Sequence, residues 1–527
     1  MSIRPGTWTR VLPLLLIALF ALSICWHSLS STRIDDMDSA HHIMDGIYFR
    51  DLMHDLAFAH VVSYTYNYYE HYPALSLLIY PPVFGAVEGT VFLASGSVDM
   101  RVSRWTVLGF GVLLACLLYR LLEPRWGSAA ALLGVLLLLS TPLISLLYNE
   151  VMLEVPAVAM ALLAVFAYLH MVRTPEPSWK AVVVFAVAAA AAVYTKQTAG
   201  FVYAPLAVDL VVNHRALLRN RRVWIGAALV LVFLLPLAAF TYKFGRFQLV
   251  QSIGTDQHLI PAYGFTGLFP ERWTVAAWLF YPRMLLRENP LMLVAGLAAA
   301  VICVRDREFF KANVIWLAWV VAWYLCFGYF LNKRDRMAFL WLPGLAALTA
   351  AVLWWCSRRS KAGWWLYLLP CAMIAANAPA AYRAAEPGFI GVPALVEKIG
   401  ISRTPGNIAY FGRYHQTIVP FVRKADTTRQ SYILRGTRIL RASSGLADAF
   451  YRFRVRYVVV DEVTAGADRE QIVHLETTGA LAPVDTGEFT MDGKVHPTRI
   501  LRYTGPIAPE MATIPLHSAE KFFTVDE

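Results

Sequence analysis

A series of long apolar blocks constrains the fold of this chain more than any other feature of its sequence. A helix of about 20 apolar residues crosses the roughly 30 Å hydrocarbon core of a lipid bilayer. Eleven blocks that approach this length occur in the chain, and 58% of its 527 residues are hydrophobic. The sequence therefore predicts an α-helical polytopic membrane protein of about eleven spans. The blocks lie at 10–28, 102–122, 128–147, 153–172, 180–195, 198–213, 223–242, 290–304, 312–331, 337–355 and 363–383.

The segments between the blocks alternate in charge, which predicts how the chain crosses the membrane. Lys and Arg collect in every second segment, and such segments face the cytoplasm in most membrane proteins. This places the N-terminus inside and the region after the last block outside the cell. It also accounts for the net charge of +11 without a nucleic-acid partner. The basic segments are 4–10, 120–125, 173–180, 215–222, 305–311 and 358–361.

One further apolar stretch, residues 74–95, is predicted not to cross the membrane. If it crossed, every later loop would change sides and the basic run 215–222 would face outward. Pro81 and Pro82 interrupt the stretch, and proline breaks a helix because it lacks a backbone donor and clashes with the preceding turn. We therefore predict a re-entrant or interfacial helix. The membrane domain then covers residues 1–383, with an outer segment at 29–101.

The composition changes after the last apolar block. Residues 407–411 and 455–460 have the pattern of short buried strands, whereas 393–399 and 416–422 have helical spacing. The sequence predicts an extracytoplasmic α/β domain over residues 384–527. The six cysteines lie in or beside apolar blocks without a CxxC motif, so we predict neither a disulfide framework nor a metal finger.

Carboxylates cluster directly after the first predicted span, at Asp36 and Asp38. Because carboxylates are costly beside lipid, we interpret Asp38, or Asp36, as a general base that deprotonates an acceptor hydroxyl. The alternative is a solvated cap of the next helix. His41, His42 and Asp45 follow at helical spacing. With Asp38 they form a face that, as a second alternative, holds a divalent metal.

Charged residues at the ends of later spans are predicted on the same outer side. Glu154 is a second candidate acid or base, although a carboxylate at a helix start also complements the helix dipole. Lys196 separates two apolar blocks. It either extends its ammonium group to the membrane–water interface or binds the phosphate of a lipid. Arg334 and Arg336 lie in an outer loop against the positive-inside tendency, which suggests a bound anion. Pairing with Asp335 is the alternative.

Other polar groups in the outer segments are weaker candidates. Tyrosines between residues 64 and 72 form either an aromatic belt at the membrane interface or a surface on which sugars stack. His258 and Glu271 lie in the outer stretch 243–289.

In their order along the chain, these motifs resemble those of the polyprenyl-phosphate-dependent glycosyltransferases with the C-type fold. The resemblance is to the protein O-mannosyltransferase and lipid A aminoarabinose transferase group, glycosyltransferase family 39. That family has an Asp-Glu pair after its first span, and this chain has Ser39 in place of the Glu. The family also has a basic residue before a Pro-Pro pair, and this chain has Tyr80 in place of the basic residue. The resemblance covers about residues 10–355. It rests on Asp38, His41, Pro81, Pro82, Gly96, Arg101 or Arg104, Glu154, Thr195, Lys196, Arg336, Met337 and Pro343.

The resemblance implies an inverting transfer of a sugar from a polyprenyl-phosphate carrier to an acceptor on the outer face of the plasma membrane. The acceptor is a lipid, a glycan or a protein, and the cofactor requirement stays open between none and a divalent metal. One alternative is a lipid-carrier flippase or transporter, although repeated halves and charges in mid-span are lacking. Another is a phosphoethanolamine-type transferase. The predicted catalytic residues are Asp38, Asp36 and Glu154, the donor-phosphate ligands are Lys196, Arg336 and Arg334, and the other substrate-binding residues are His41, His42 and Tyr80.

Overall fold

The computed structural model describes residues 7–34, 37–77, 79–244, 272–330, 333–359, 363–388, 390–466, 468–491 and 493–514. Asp36, His258 and Glu271 lie outside the described residues. Up to residue 384 the described secondary structure is helical. The helices of this part are Thr7–Cys25, Met37–His54, Val61–His71, Val83–Ser95, Met100–Leu139, Pro142–Asn149, Glu154–Met171, Trp179–Thr195, Tyr203–Asn213, Arg221–Phe244, Val275–Glu288, Pro290–Arg305, Arg307–Tyr329, Leu342–Arg359 and Leu368–Ala384.

Each apolar block of the sequence is largely helical, whereas the helices Met37–His54, Val61–His71 and Val275–Glu288 lie outside the blocks. The 40-residue helix Met100–Leu139 breaks at Gly127, whose φ of 74° is left-handed, and its two parts correspond to two blocks. By length and composition, five described helices are able to cross a membrane, or six if a pair bent by 120° counts as one span. The predicted count of eleven spans stays a prediction. The five are Val11–Ser30, Met100–Leu139, Glu154–Met171, Arg221–Lys243 and Arg307–Tyr329.

The loops between these helices gather at two ends of the assembly. At one end, Arg125 donates a hydrogen bond to the Ala312 carbonyl at 2.6 Å, and Asn213 donates one to the Lys311 carbonyl at 2.8 Å. We call this the basic end, because its loops belong to the basic segments of the sequence. At the other end, Arg104 donates to the Arg33 carbonyl at 2.8 Å.

The two ends are about one bilayer apart. Arg104 and Arg125 lie on the same helix, and at ~1.5 Å per residue this part of the helix spans about 30 Å. The loops that the charge pattern assigns to the same side of the membrane are therefore the loops that contact one another. The contacts do not depend on which end faces the cytoplasm.

The outer segment folds over the end of the assembly that is opposite the basic end. Its central element is the helix Met37–His54, which we call the outer helix. The apolar stretch at 74–95 becomes a loop followed by the helix Val83–Ser95, which begins directly after Pro82 and packs along the outer helix. This helix has 13 residues and is about 20 Å long, too short to cross the hydrocarbon core. Its length therefore fits the predicted non-spanning helix.

Gly89 allows the helix Val83–Ser95 to approach the outer helix closely. A Cβ atom at residue 89 would lie 2.7 Å from the backbone nitrogen of Arg50 and 2.9 Å from the Gly46 carbonyl oxygen. Because both neighbours are backbone atoms, Gly89→Ala is expected to destabilise the protein by about 1–3 kcal/mol. Thermal unfolding in detergent measures the effect. Gly109→Ala is the control, since no described atom beyond its chain neighbours and its own helix backbone lies within 4 Å of its Cβ position. Equal melting temperatures for the two variants would contradict this packing.

After residue 384 the chain forms an α/β domain around one five-stranded sheet. The strands are β1 Asn407–Phe411, β2 Ile433–Arg435, β3 Val455–Asp461, β4 Leu481–Met491 and β5 Lys494–Tyr503, and the helices are Val392–Ile399, His415–Ala425, Gly436–Arg441, Leu446–Arg452 and Asp468–Thr477. The strand order is β2-β1-β3-β5-β4. β2, β1 and β3 are parallel, and β5 pairs antiparallel with both β3 and β4. The strands predicted at 407–411 and 455–460 and the helices predicted at 393–399 and 416–422 are confirmed.

The two faces of this sheet pack against different partners. Alternate residues of β1 point to opposite faces, as in any strand. Ile408 and Tyr410 join the apolar core that continues into the membrane part, whereas Ala409 and Phe411 belong to a separate core within the domain. The domain is thus packed onto the membrane part through one face of its sheet.

Candidate active site

Four charged side chains from distant parts of the chain meet at the end opposite the basic end. Arg336 Nη2 donates to Asp38 Oδ2 at 2.6 Å, and Arg336 Nε lies 3.5 Å from Glu154 Oε1. Lys196 Nζ donates to the same Glu154 oxygen at 2.7 Å. We call these four residues the charged cluster. The two carboxylates and the two cations of the cluster balance in charge. A substrate anion that enters the cluster would compete with the two carboxylates for Lys196 and Arg336.

Local structure places each of the four groups at the end of a helix. Asp38 and Glu154 lie in the first turns of their helices, where the helix dipole favours a carboxylate. Lys196 follows a helix in an extended conformation, and Arg336 lies in a short 3-10 helix. The charges therefore gather at one depth without a charge in the middle of a span.

Burial differs across the charged cluster. The side chain of Glu154 is fully buried and that of Lys196 is 5% exposed, whereas the side chains of Arg336 and Asp38 are 17% and 22% exposed. The second oxygen of Glu154, Oε2, has no hydrogen-bond partner in the part of the chain that the structure describes. The cluster thus has a closed inner side at Glu154 and an open side at Asp38.

Arg336 controls the protonation state of the open side. Burial alone would raise the pKa of Asp38, but the Arg336 guanidinium holds this pKa well below its usual value. Burial lowers the pKa of His42 far below its usual value, although Asp38 opposes this effect. Asp38 is therefore ionised and His42 neutral at pH 7. The His42 ring contacts Tyr80 edge-on, with ring centres 4.6 Å apart.

The loop with the two prolines brings Tyr80 to the cluster. The Lys196 ammonium lies 6.0 Å from the centre of the Tyr80 ring, a distance that allows a weak cation–π contact. Next to it, Gln197 donates to the Ile79 carbonyl at 2.9 Å and ties this loop to the residue that follows Lys196. An aromatic ring thus stands where the resembling family has a basic residue.

Asp45 anchors the same loop from the outer helix. Its carboxylate accepts hydrogen bonds from the Ser76 backbone at 2.8 Å and from the Ser76 hydroxyl. Burial raises the pKa of Asp45 to about 7, against the effect of these two bonds. The sequence-based alternative had placed Asp45 in a metal-binding face. Among the residues that the structure describes, no group of three or more His, Cys, Asp or Glu side chains is arranged to hold a metal ion.

The structure separates the two arginines that the sequence had grouped as anion ligands. Arg336 enters the charged cluster, whereas Arg334 is exposed on the loop surface. Lys333, which directly precedes Arg334, donates to the Gly328 and Phe330 carbonyls and so caps the end of the preceding helix. A cation in this loop therefore has a structural role that the sequence did not reveal.

The α/β domain is fixed to the outer helix by a buried ion pair. The Arg423 guanidinium donates to both carboxylate oxygens of Asp51, at 2.9 and 2.7 Å, and Asp51 is fully buried. Tyr68 donates to Asp51 at 2.9 Å. At the surface nearby, Arg429 pairs with Asp55. These contacts hold the helix that carries Asp38, and sequence reasoning missed them.

The helix His415–Ala425, which carries Arg423, also reaches the neighbourhood of the charged cluster. Its first residue, His415, is buried and lies in the electrostatic field of His41, three positions from Asp38 along the outer helix. Burial, with Arg435 and then His41, lowers the pKa of His415 to about 3. The two helices therefore lie side by side with their N-terminal ends towards the cluster.

Breaking the buried pair is expected to destabilise the protein strongly. Arg423→Gln removes the hydrogen bonds of one guanidinium from the buried Asp51 carboxylate and leaves it with Arg50, which donates to it at 2.6 Å. Breaking a buried pair typically costs about 3–5 kcal/mol, and the remaining cation favours the lower end of this range. The exposed pair Lys424–Asp99, with its atoms 2.6 Å apart, is the matched control. Lys424→Gln is expected to cost at most about 1 kcal/mol, because exposed pairs are screened by water. Unfolding in detergent measures both variants, and a Gln substitution at residue 423 as mild as that at residue 424 would refute the assigned role.

The fold is similar to that of two solved membrane proteins. The helical assembly, with its α/β domain at the end that carries the charged cluster, is similar to a solved structure of ArnT from Cupriavidus metallidurans bound to undecaprenyl phosphate. The TM-score is 0.62 and the sequence identity is 14%, over 96% of this chain and 100% of that chain. The assembly also matches the oligosaccharyltransferase AglB from Archaeoglobus fulgidus, in complex with an inhibitory peptide and a dolichol-phosphate, with a TM-score of 0.54 and 11% identity, over 86% of this chain and 69% of that chain. The predicted C-type glycosyltransferase fold is confirmed.

The sequence itself points to the same class. Residues 80–240 match the family described as dolichyl-phosphate-mannose-protein mannosyltransferase. This stretch includes Tyr80, Glu154 and Lys196. No curated protein is significantly similar in sequence. Family match and fold together identify the chain as a membrane glycosyltransferase of the C type, a class that uses donors linked to a lipid phosphate.

Proposed function

We propose that this enzyme transfers a sugar from a polyprenyl-phosphate carrier to a hydroxyl group of an acceptor on the outer face of the plasma membrane, with inversion at the anomeric carbon. The observation that carries the proposal is the arrangement of the charged cluster. One arginine, Arg336, contacts both the candidate general base Asp38 and the inner carboxylate Glu154, beside Lys196. A site for a phosphate and a base for a hydroxyl thus share one side chain.

The donor phosphate is proposed to bind where Lys196 and Arg336 meet. A guanidinium presents paired donors that suit phosphate oxygens, and an ammonium adds a point charge. The matched ArnT structure contains undecaprenyl phosphate and the matched AglB structure contains a dolichol-phosphate. Both ligands support a lipid phosphate in this chain. Tyr80 and His42 would line the sugar side of the site, and Arg334 would meet the donor only at its exposed edge.

Arg336 is proposed to couple donor binding to the basicity of Asp38. Without substrate, its guanidinium keeps the pKa of Asp38 low, which makes this carboxylate a weak base. A donor phosphate competes for the same guanidinium. When Asp38 loses its cationic partner, burial raises the pKa of its carboxyl, and the carboxylate becomes a stronger base. The base is then active only when the donor is in place.

The proposed transfer is a single displacement. The acceptor oxygen attacks the anomeric carbon from the side opposite the phosphate, the bond from this carbon to the phosphate oxygen breaks, and the hydroxyl proton passes to Asp38. The leaving polyprenyl phosphate gains one negative charge, which Lys196 and Arg336 stabilise. Since the leaving group departs as an anion, it needs no proton donor. Attack from the opposite side gives inversion.

The outer orientation is supported by the charge of the loops. The loops of the basic end carry most of the Lys and Arg between helices, and such loops remain in the cytoplasm. The charged cluster and the α/β domain lie at the other end. We therefore propose that acceptor and donor meet outside the cytoplasm, and that the acceptor is a lipid, a glycan or a protein. A flippase would move the same carrier without cleaving it.

The experiment is a transfer assay with purified protein in liposomes. Synthetic polyprenyl-phosphate hexoses and pentoses are supplied with cell-envelope acceptor fractions, and NMR reports the configuration at the anomeric carbon of the product. The proposal predicts release of free polyprenyl phosphate and a product of inverted configuration. Retention of configuration would contradict the single displacement. Carrier that changes leaflet without losing its sugar would favour the flippase.

A further inference from the structure

The turn that follows the outer helix is exposed although most of its residues are apolar. We call residues 56–62 the apolar turn, because Leu, Ala, Phe and Val occupy every position except His60. Leu56, Phe58 and Val62 are 76%, 58% and 66% exposed. No Asp, Glu, Lys or Arg occurs between residues 56 and 69. A contiguous apolar surface of this kind usually marks a site of interaction.

The backbone holds the first side chain of the apolar turn outward at a cost. Leu56 has φ 50° and ψ 36°, a left-handed conformation that a bulky residue rarely adopts, and the 3-10 helix Ala57–His60 follows it. Glycine would adopt this conformation without strain. Because the Leu56 side chain is largely exposed, packing within the described part of the chain does not explain why leucine occupies this position. A contact outside the protein does.

The neighbouring helix Val83–Ser95 indicates the depth of this region. Trp26 and Trp105 lie at the ends of two helices that are able to cross a membrane, and their exposed rings pack edge-on with centres 5.9 Å apart. Exposed tryptophans at such helix ends collect at the membrane–water interface. Phe84 contacts Phe110, which lies about 7.5 Å beyond Trp105 along the same spanning helix. The helix Val83–Ser95 therefore begins on the membrane side of the two tryptophans.

The outer helix brings the apolar turn beside this second helix. Met53, in the last turn of the outer helix, contacts Thr90, with Sδ and Oγ1 4.0 Å apart. Val87 and Leu93 lie three positions to either side of Thr90, on the same face, and both are exposed. The apolar turn thus starts three residues after a contact with an exposed apolar helix face at membrane depth.

The polar residue that precedes the apolar turn is bound to the α/β domain. Asp55 accepts a hydrogen bond from Arg429 at 2.9 Å and another from Tyr64 at 2.8 Å. The residues that follow Asp55 stay exposed. The domain therefore satisfies the charge at this corner of the outer segment and leaves the apolar side chains uncovered within the described residues.

We propose that the apolar turn inserts into the lipid leaflet at the end that carries the charged cluster, together with the exposed face of helix Val83–Ser95. Its partner is the boundary between headgroups and acyl chains, where burial stabilises Leu, Phe and Val. A lipid surface fits better than a second protein, because the apolar turn adjoins a helix face at membrane depth and offers no charged side chain for a specific pair. The insertion anchors the outer helix, which carries Asp38 at its other end. It does not depend on the proposed reaction.

Fluorescence quenching tests the insertion in the full-length protein, freed of its six native cysteines and placed in lipid nanodiscs. A nitrobenzoxadiazole probe is attached to Phe58→Cys or Val62→Cys. Val232→Cys, in the middle of the helix Arg221–Phe244, is the control for lipid, and Glu470→Cys, exposed on the α/β domain, is the control for water. Lipids with a doxyl group on the acyl chain are expected to quench the probes at residues 58, 62 and 232 at least about threefold more than the probe at 470. Aqueous iodide is expected to quench mainly the probe at 470.

Photolabelling of the natural chain gives a second measurement that needs no substitution. Nanodisc lipids with a diazirine in the acyl chain are expected to label the peptide 56–62 and the mid-span peptide 228–236. The peptide 468–477 of the α/β domain is expected to stay unlabelled. Mass spectrometry identifies the labelled residues.

Three outcomes would overturn the proposal. Iodide quenching at residues 58 and 62 as strong as at residue 470 would show that the turn lies in water. Protection from both quenchers would show that protein covers the turn, for example a second copy of the chain. Absence of acyl-chain label from the peptide 56–62, while the mid-span peptide is labelled, would place the turn above the leaflet. Lipid quenching at both residues with labelling of the same peptide supports the insertion.

Discussion

Asp38→Asn is expected to lower the rate of sugar transfer about 100- to 10,000-fold, the range over which a general base contributes. The amide keeps the size of the side chain and still faces Arg336, but it cannot accept the hydroxyl proton. The affinity for the donor is expected to stay the same or to rise, because the donor phosphate no longer competes with a carboxylate for the Arg336 guanidinium. Single-turnover transfer from a polyprenyl-phosphate sugar, with donor binding measured separately, gives both quantities.

The control for this variant is Asp335→Asn. Asp335 adjoins Arg336, but its side chain is 56% exposed and its nearest described partner, Arg287, lies 3.8 Å away. Less than a twofold change in transfer is expected. If Asp38→Asn retained more than about a tenth of the transfer rate while the protein stayed folded, Asp38 would not be the base.

Arg336→Gln is expected to reduce transfer about 100- to 1,000-fold, the usual effect of removing one group that stabilises charge in a transition state. Unlike Asp38→Asn, it is also expected to weaken donor binding, because the guanidinium contacts the phosphate before and after the bond breaks. Arg336→Lys keeps the charge without the paired donors, and an intermediate loss is expected. Measurements of kcat and of donor affinity separate the two effects.

Arg334→Gln is the comparison for this second variant. The Arg334 side chain lies two positions before Arg336 and is exposed, so transfer is expected to fall by less than about tenfold. Equal losses at residues 334 and 336 would mean that the phosphate lies on the loop surface. In that case the contact of Arg336 with Asp38 and Glu154 would be only structural.

Three members of the charged cluster stand out in the sequence because they interrupt or adjoin an apolar block, whereas Asp38 lies in the outer segment between two blocks. A charge at the end of a span, as at Glu154 and Lys196, is costly without a partner. The sequence could not show which of the two arginines joins the cluster. In the structure Arg336 contacts both Asp38 and Glu154, and Arg334 lies outside the cluster. That choice depends on the direction of a short 3-10 helix, which no spacing rule fixes.

The attachment of the α/β domain could not be predicted. Arg423 and Asp51 are 372 positions apart, and each lies in a polar helix where a charge carries no signal of burial. Asp45 shows the same difficulty: its helical spacing relative to Asp38 allowed a shared metal site as an alternative, whereas in the structure its partner is the loop at Ser76. The grouping of the loops at two ends was easier to predict, because the charge of a loop is a property of the chain itself. The number of spans and their orientation stay predictions.

The most direct test of the account is a structure of the protein with a non-cleavable phosphonate analogue of a polyprenyl-phosphate sugar. The account predicts phosphonate oxygens within about 3 Å of Lys196 Nζ and of the Arg336 guanidinium. It also predicts that the contact between Arg336 and Asp38 has opened and that the anomeric carbon faces Asp38. A phosphonate bound at the basic end, with the contacts among Asp38, Glu154, Lys196 and Arg336 unchanged, would contradict it.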